Sequence, residues 1–140
     1  MPMNFAINYF AVLVSAIGFM IVGTLWYGPL FGKQWRSLIG VTPEKMKNTP
    51  NGAMVRPMIF VFIVALVTSF VIAVLLKSLL ITTPLVALEL AFVVWLGFIA
   101  TTLLNRVLFE QSSMKLYFIN ISQSLVAFLF SSLILVLWPW

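Results

Sequence analysis

The chain has 140 residues, 63% of them hydrophobic and only 8% charged, with a formal net charge of +5. A water-facing domain carries about 25% charged residues, so this composition excludes a hydrated exterior and points to lipid as the solvent. Cys and His are absent and the only acids are Glu44, Glu89 and Glu110, which excludes disulfides, thiolate chemistry, Cys/His metal sites and a histidine proton shuttle.

Four apolar stretches reach the length of about 20 residues needed to cross a hydrocarbon core of about 30 Å. They run approximately over 5–25, 57–76, 84–105 and 116–138. None shows the apolar/polar alternation of a membrane strand, and a barrel needs many more segments. The expected fold is all-α: a polytopic membrane protein whose four transmembrane helices form a single domain over 1–140. The basic connection 29–56 is expected to be cytoplasmic.

In chain order, no positive residue precedes the first stretch and no small-x-small cleavage site follows it, so it is expected to stay as an anchor. Ala11, Ser15 and Gly18 give it a small-residue face. Gly28-Pro29 is expected to end the helix, since Pro lacks an amide donor and clashes with the preceding turn. Tyr27, Phe31, Trp35 and Leu38 then fall at helical spacing, opposite Lys33, Arg36 and Ser37. That is the pattern of a short helix in the headgroup plane. Trp26, Tyr27, Phe31 and Trp35 are therefore read as membrane-interface anchors, the alternative being a gate or docking surface. Thr42-Pro43-Glu44-Lys45 starts a short helical turn, and Asn51-Gly52 marks a turn before the second span.

The second span is free of charge from Ile59 to Leu76 and has its own small residues at Ala65, Ser69 and Ala73. Thr83-Pro84 reads as an N-cap followed by Pro at the first helical position. Glu89 is the one acid inside a span, which makes it a candidate for ion or proton coupling. Against that, it lies about 7.5 Å along the helix from Pro84, near the interface and the positive helix end. Trp95, near mid-membrane, is read as packing. Thr101 and Asn105 share one face, Arg106 and Glu110 can pair at i,i+4, and Asn120, Gln123 and Ser124 open the fourth helix. Buried amides need partners in hydrocarbon, so these groups should face each other or the bundle interior. Together they form a candidate intramembrane polar cluster, either helix–helix glue or a vestibule for a headgroup, ion or small solute. Ala127 and Ser131 supply a small face to the fourth span, with Trp138 and Trp140 as outer anchors.

Lys33, Arg36, Lys45, Lys47, Arg56, Arg106 and Lys115 fall on the side of the first and third loops, and only Lys77 on the other. An excess of Lys and Arg marks the cytoplasmic side, so both termini are expected outside. The partners of these charges are expected to be anionic lipid headgroups rather than nucleic acid. Gly18-Phe19 before Leu30-Phe31-Gly32 echoes Gly97-Phe98 before Leu108-Phe109-Glu110. The echo suggests two hairpins of like orientation about an axis along the membrane normal.

The segments NFAINYFAVLVSAIGFMIVGTLWYGPLFGKQW (Asn4 to Trp35) and GFIATTLLNRVLFEQSSMKLYFIN (Gly97 to Asn120) resemble the bacterial membrane proteins grouped as domain of unknown function 1761. The features that match are LWYGPLFGK-W after the first span, ATTLLN--LFE ending the third and KLYFIN opening the fourth. The resemblance implies a four-helix inner-membrane protein and carries over no activity. Members often have an aromatic and a His where this chain reads Gln123-Ser124.

No cofactor and no catalysis are expected, because the nucleophile–base pairs of covalent chemistry are missing. The function expected is a binding, structural or accessory membrane subunit, as a homo-oligomer or within a larger complex. The alternative is a small oligomeric transporter or channel lined by Glu89 or the Asn105/Gln123 cluster.

Overall fold

The computed structural model describes residues 2–139. Trp140, one of the two expected outer anchors, lies outside that range. Among the described residues there are helices and no strands, and four spans are long and apolar enough to cross a membrane: Tyr9–Leu30, Val55–Ser78, Pro84–Phe109 and Met114–Leu137.

The first span begins as helix α1 (Tyr9–Leu25), later than hydropathy alone places it, because Asn8 caps it. The Asn8 side chain accepts hydrogen bonds from the amides of Phe10 (3.0 Å) and Ala11 (3.2 Å). Gly28-Pro29 does not end the span. The chain continues through a π-helical segment, Trp26–Leu30, with Pro29 inside it, and breaks only at Phe31. The wider turn relieves the clash that a Pro ring makes with the carbonyl four residues earlier. The short helix expected in the headgroup plane follows as α2 (Gly32–Leu38).

Helix α3 (Pro43–Lys47) is the expected short turn, capped by the Thr42 hydroxyl accepting from the Lys45 amide at 3.2 Å. Asn51-Gly52 lies in a turn before α4 (Val55–Ser78). Pro84 takes the first position of α5 (Pro84–Val94), but the Thr83 side chain makes no capping bond. A second π-helical segment, Trp95–Ala100, joins α5 to α6 (Thr101–Phe109). The last span is α7 (Met114–Leu137), capped by Ser113.

Helix α7 organises the bundle: α1, α4 and α5 all pack on it, and α1 also packs along α4. The two hairpins therefore exist, but α1 meets α7 closely while α4 and α5 stand apart. That asymmetry is incompatible with the two-fold axis the internal echo suggested. Between α4 and α5 runs an apolar groove of about 200 Å³, lined by Val67, Val71, Leu75, Leu90 and Val94, with Phe128 of α7 beneath.

The small-residue faces meet where backbones come closest. Ala11, Ser15, Ala73, Ala127, Ser69 and Ser131 are buried without residual exposure or nearly so. A Cβ added to Gly18 would lie 2.9 Å from the Phe130 ring, so the Phe130 and Ile134 side chains of α7 rest on Gly18 and would have to shift to admit a larger residue. At the crossing of α1, α4 and α7, the hydroxyls of Ser15, Ser69 and Ser131 join: Ser15 donates to Ser69 at 2.9 Å and is also bonded to Ser131. Each hydroxyl satisfies another where no water can reach, as hydrocarbon demands. Nearer the chain end, the Asn4 amide donates to the Ser78 hydroxyl at 2.7 Å and ties the N-terminal segment to the end of α4.

Two substitutions separate the hydroxyl bonds from the close packing. Ser15→Ala should cost about 0.5–1 kcal/mol, the usual worth of an interhelical hydrogen bond in a membrane protein. Ser15→Leu should prevent the three helices from meeting and lose the folded state. Thermal unfolding in mild detergent reads both; equal tolerance of Ala and Leu would show that the crossing is not close-packed.

Candidate functional site

The two π-helical segments open on the same short pattern, Trp26-Tyr27-Gly28 and Trp95-Leu96-Gly97, and both present an indole to the same stretch of α7. The Trp26 indole N–H donates to the Ser122 hydroxyl at 3.0 Å. The Trp95 indole N–H is shared between the Ile121 carbonyl at 2.9 Å and the Ser124 hydroxyl at 3.1 Å. Both serines donate back into α7, Ser122 to the Ile119 carbonyl and Ser124 to the Ile121 carbonyl, each at 3.0 Å. The contact level lies about 12 Å along α7 from Met114, at 1.5 Å per residue.

Phenols extend the clamp toward the basic end of the bundle. Tyr27 donates to Asn120 Oδ1 at 2.7 Å, and Tyr117 of α7 donates across to the Ala100 carbonyl at 2.6 Å. Thr101 turns its hydroxyl onto the Gly97 carbonyl at 2.7 Å. The Tyr117 and Thr101 hydroxyls land on carbonyls of the second π segment, where the regular i→i−4 ladder is disturbed and hydrocarbon offers nothing else.

The corner after the first π segment is equally tight. A Cβ on Gly32 would sit 2.9 Å from the Tyr27 carbonyl oxygen, a backbone atom that cannot move aside, so α2 can start there only with Gly. Trp35 of α2 packs on Tyr27 with ring centroids 4.9 Å apart, and Phe31 on Trp26 at 5.4 Å. Trp26 and Tyr27, read from sequence as interface anchors, thus direct their polar atoms inward to α7, while Phe31 and Trp35 cover them.

The π segment in the third span decides where the remaining candidates point. Buried positions run Ala87, Ala91, Trp95 at steps of four, then jump to Ala100. An unbroken α-helix would have turned Thr101 and Asn105 inward with Ala87. The extra residue in the turn rotates everything beyond it by about 100°. Thr101 and Asn105 are consequently exposed on the outside of the bundle, not facing Asn120 and Gln123 as expected. Arg106 and Glu110 do pair, Nε to Oε2 at 3.2 Å, on the exposed surface. Glu89 is also exposed on the outer face of α5. Asn120 and Ser124 belong to the clamp. Gln123 is half-buried against Gly23 and has no hydrogen-bond partner among the described residues.

Sequence reasoning passed over Ser122 and treated Trp95 as packing alone. The available signal was the recurrence of Trp-x-Gly in two spans, facing a fourth span rich in Asn, Ser and Gln over 120–124.

A family model described as Protein of unknown function (DUF1761) matches residues 10–136, and the chain belongs to that family. No curated protein and no solved structure matches it.

Substitutions at the indoles weaken the clamp. Trp95→Phe keeps an aromatic ring in the core but removes the shared N–H together with the fused pyrrole ring, leaving Ile121 and Ser124 bonded to each other. A loss of about 1–3 kcal/mol is expected, one hydrogen bond plus the space left by the smaller ring. Trp26→Phe should cost a similar amount, and the double variant their sum or more. Thermal unfolding followed by circular dichroism measures this; unchanged stability in the double variant would show that the indole bonds do not hold the spans to α7.

Proposed function

We propose that this multi-pass membrane protein of the DUF1761 family is a non-catalytic subunit that assembles with a second copy of itself through the outer face of its third span. The observation that carries this reading is where polar groups face hydrocarbon. The exposed residues of α4 from Met58 to Val71 are all apolar, and those of α1 from Phe10 to Ile21 are Phe10, Leu13, Ile17 and Ile21, with Thr24 the one exposed hydroxyl beyond them. The third span instead exposes Glu89, Gly97, Thr101, Thr102 and Asn105. Asn105, on the exposed surface where the third span meets its basic end, has no partner among the described residues.

Self-association fits the chemistry of this face. Gly97 has open space around the position of a Cβ, and Gly97 and Thr101 repeat the small-xxx-small spacing that brings helices close. The Asn105 carboxamide has both donor and acceptor, so it can pair with its own copy across a two-fold axis. A transport path past Glu89 or Asn105 would have to run between copies, because both side chains face away from the bundle.

In this reading the protein lies in the inner membrane with its first and third loops cytoplasmic and both termini outside. The support is the Lys and Arg distribution, with Lys77 alone on the outer side. Anionic headgroups of the cytoplasmic leaflet are its lipid partners.

Light scattering on the protein purified in mild detergent tests the proposal. A defined oligomer is expected, weakened about tenfold or more by Gly97→Leu with Asn105→Leu, since polar and close contacts between spans are worth about 1–2 kcal/mol each at most. Val64→Leu, on the apolar face of α4, should leave it intact. A monomeric wild-type protein, or an oligomer untouched by the double variant, would overturn the reading.

A further inference from the structure

At the basic end of the bundle, between α6 and α7, lies a recess lined by Arg106, Ser112, Tyr117 and Asn120, with Leu103 and Leu116 as its apolar wall. Its volume of about 20 Å³ admits one water-sized group, such as a single oxygen of a larger anion lying over the mouth.

The polar chemistry of the recess is one-sided. Asn120 uses its Oδ1 on the Tyr27 hydroxyl, so its amide N–H groups remain for another partner, and none is present among the described residues. Arg106 uses only Nε on Glu110, leaving its terminal amines. Ser112 commits its backbone N–H to the Arg106 carbonyl at 3.1 Å, while its hydroxyl is uncommitted. Tyr117 spends its proton on the Ala100 carbonyl. Among the described residues no carboxylate lines the recess. Three unspent donors, one of them a guanidinium, form a cradle for an oxyanion, and the hydrocarbon on either side restricts that oxyanion to one attached to apolar chains.

We propose that this recess seats a phosphoryl oxygen of an acidic phospholipid, held by Arg106, Ser112 and Asn120, with the acyl chains along the apolar surfaces of α6 and α7. The headgroup is anionic rather than zwitterionic because Arg106 and, in the first turn of α7, Lys115 leave no place for a second cation. Two devices set the affinity. Tyr27 orients the Asn120 amide so that it donates, and Glu110 competes with the lipid for Arg106. The site belongs to a single copy and does not depend on self-association.

Native mass spectrometry of the protein equilibrated with equal phosphatidylglycerol and phosphatidylcholine tests this. About one phosphatidylglycerol per chain should be retained in preference to phosphatidylcholine. Arg106→Gln and Asn120→Leu should each lower retention about tenfold, the scale of one charge-assisted or buried hydrogen bond. Asn120→Asp, which keeps the size and removes the donor, should do the same, and a thermal unfolding curve shared with wild type shows that the fold survives. Glu110→Gln should raise retention, and Lys47→Gln, in α3, should leave it unchanged. Equal retention of the two lipids, or a loss with Lys47→Gln as large as with Arg106→Gln, would overturn the proposal. So would complete displacement by millimolar inorganic phosphate, which would make the ligand a free anion. Retention by the Gly97→Leu, Asn105→Leu double variant, diluted until it is monomeric, keeps this result separate from the question of assembly.

Discussion

Hydrocarbon does not hydrogen-bond, and the architecture follows from finding the fully buried polar groups partners inside the protein. Helix α7 is where most of those partners meet. In one half of the membrane, Ser131 joins Ser15 and Ser69, fastening α1 and α4 to it. Nearby, Ser132 donates to the Ala87 carbonyl at 2.8 Å and fastens α5. In the other half, Ser122, Ser124 and Asn120 receive the indoles and the phenol that come from the two π segments. No buried side-chain nitrogen or oxygen among the described residues lacks a partner. Close packing and polar pairing thus act at the same positions, because the small residues that let backbones approach also have the hydroxyls.

The π segments extend this logic by changing where side chains aim. In the first span the wide turn accommodates Pro29 and directs Trp26 and Tyr27 onto α7. In the third it lets Trp95 reach α7 and then rotates the rest of the helix outward. One added residue per turn therefore has two effects, an inward clamp before it and an outward polar face after it. Such segments cost regular hydrogen bonds and recur at functional sites. Here they separate the surface that holds the bundle together from the polar surface that the third span exposes.

Much of the fold was legible in the residues themselves. Hydropathy located four spans, and small-residue spacing identified Ala11, Ser15, Ala65, Ser69, Ala73, Ala127 and Ser131, all of which are buried. These signals survive because they depend on local composition and on a helical period near 3.6. The site was less legible for the same reason. A reading at that period has no means of registering an inserted residue, so Thr101 and Asn105 were expected inside and Glu89 was weighed as a lining group. Ser122 drew no notice because a single hydroxyl in an apolar helix looks like any other small residue until the indole opposite it is known. Gly32 likewise looked like part of a motif, not like the one residue that fits beneath the Tyr27 carbonyl.

The gap between α4 and α5 bears on how the molecule is made. A hairpin of adjacent spans usually supports itself as it leaves the ribosome, and α1 with α4 can do so. The third span cannot, since α5 leaves α4 unengaged and leans on α7. It must wait in the bilayer, its Trp95 indole N–H and Ala100 carbonyl without their α7 partners, until the following helix has been synthesised. Any lesion in α7 would be felt first as failure of biogenesis.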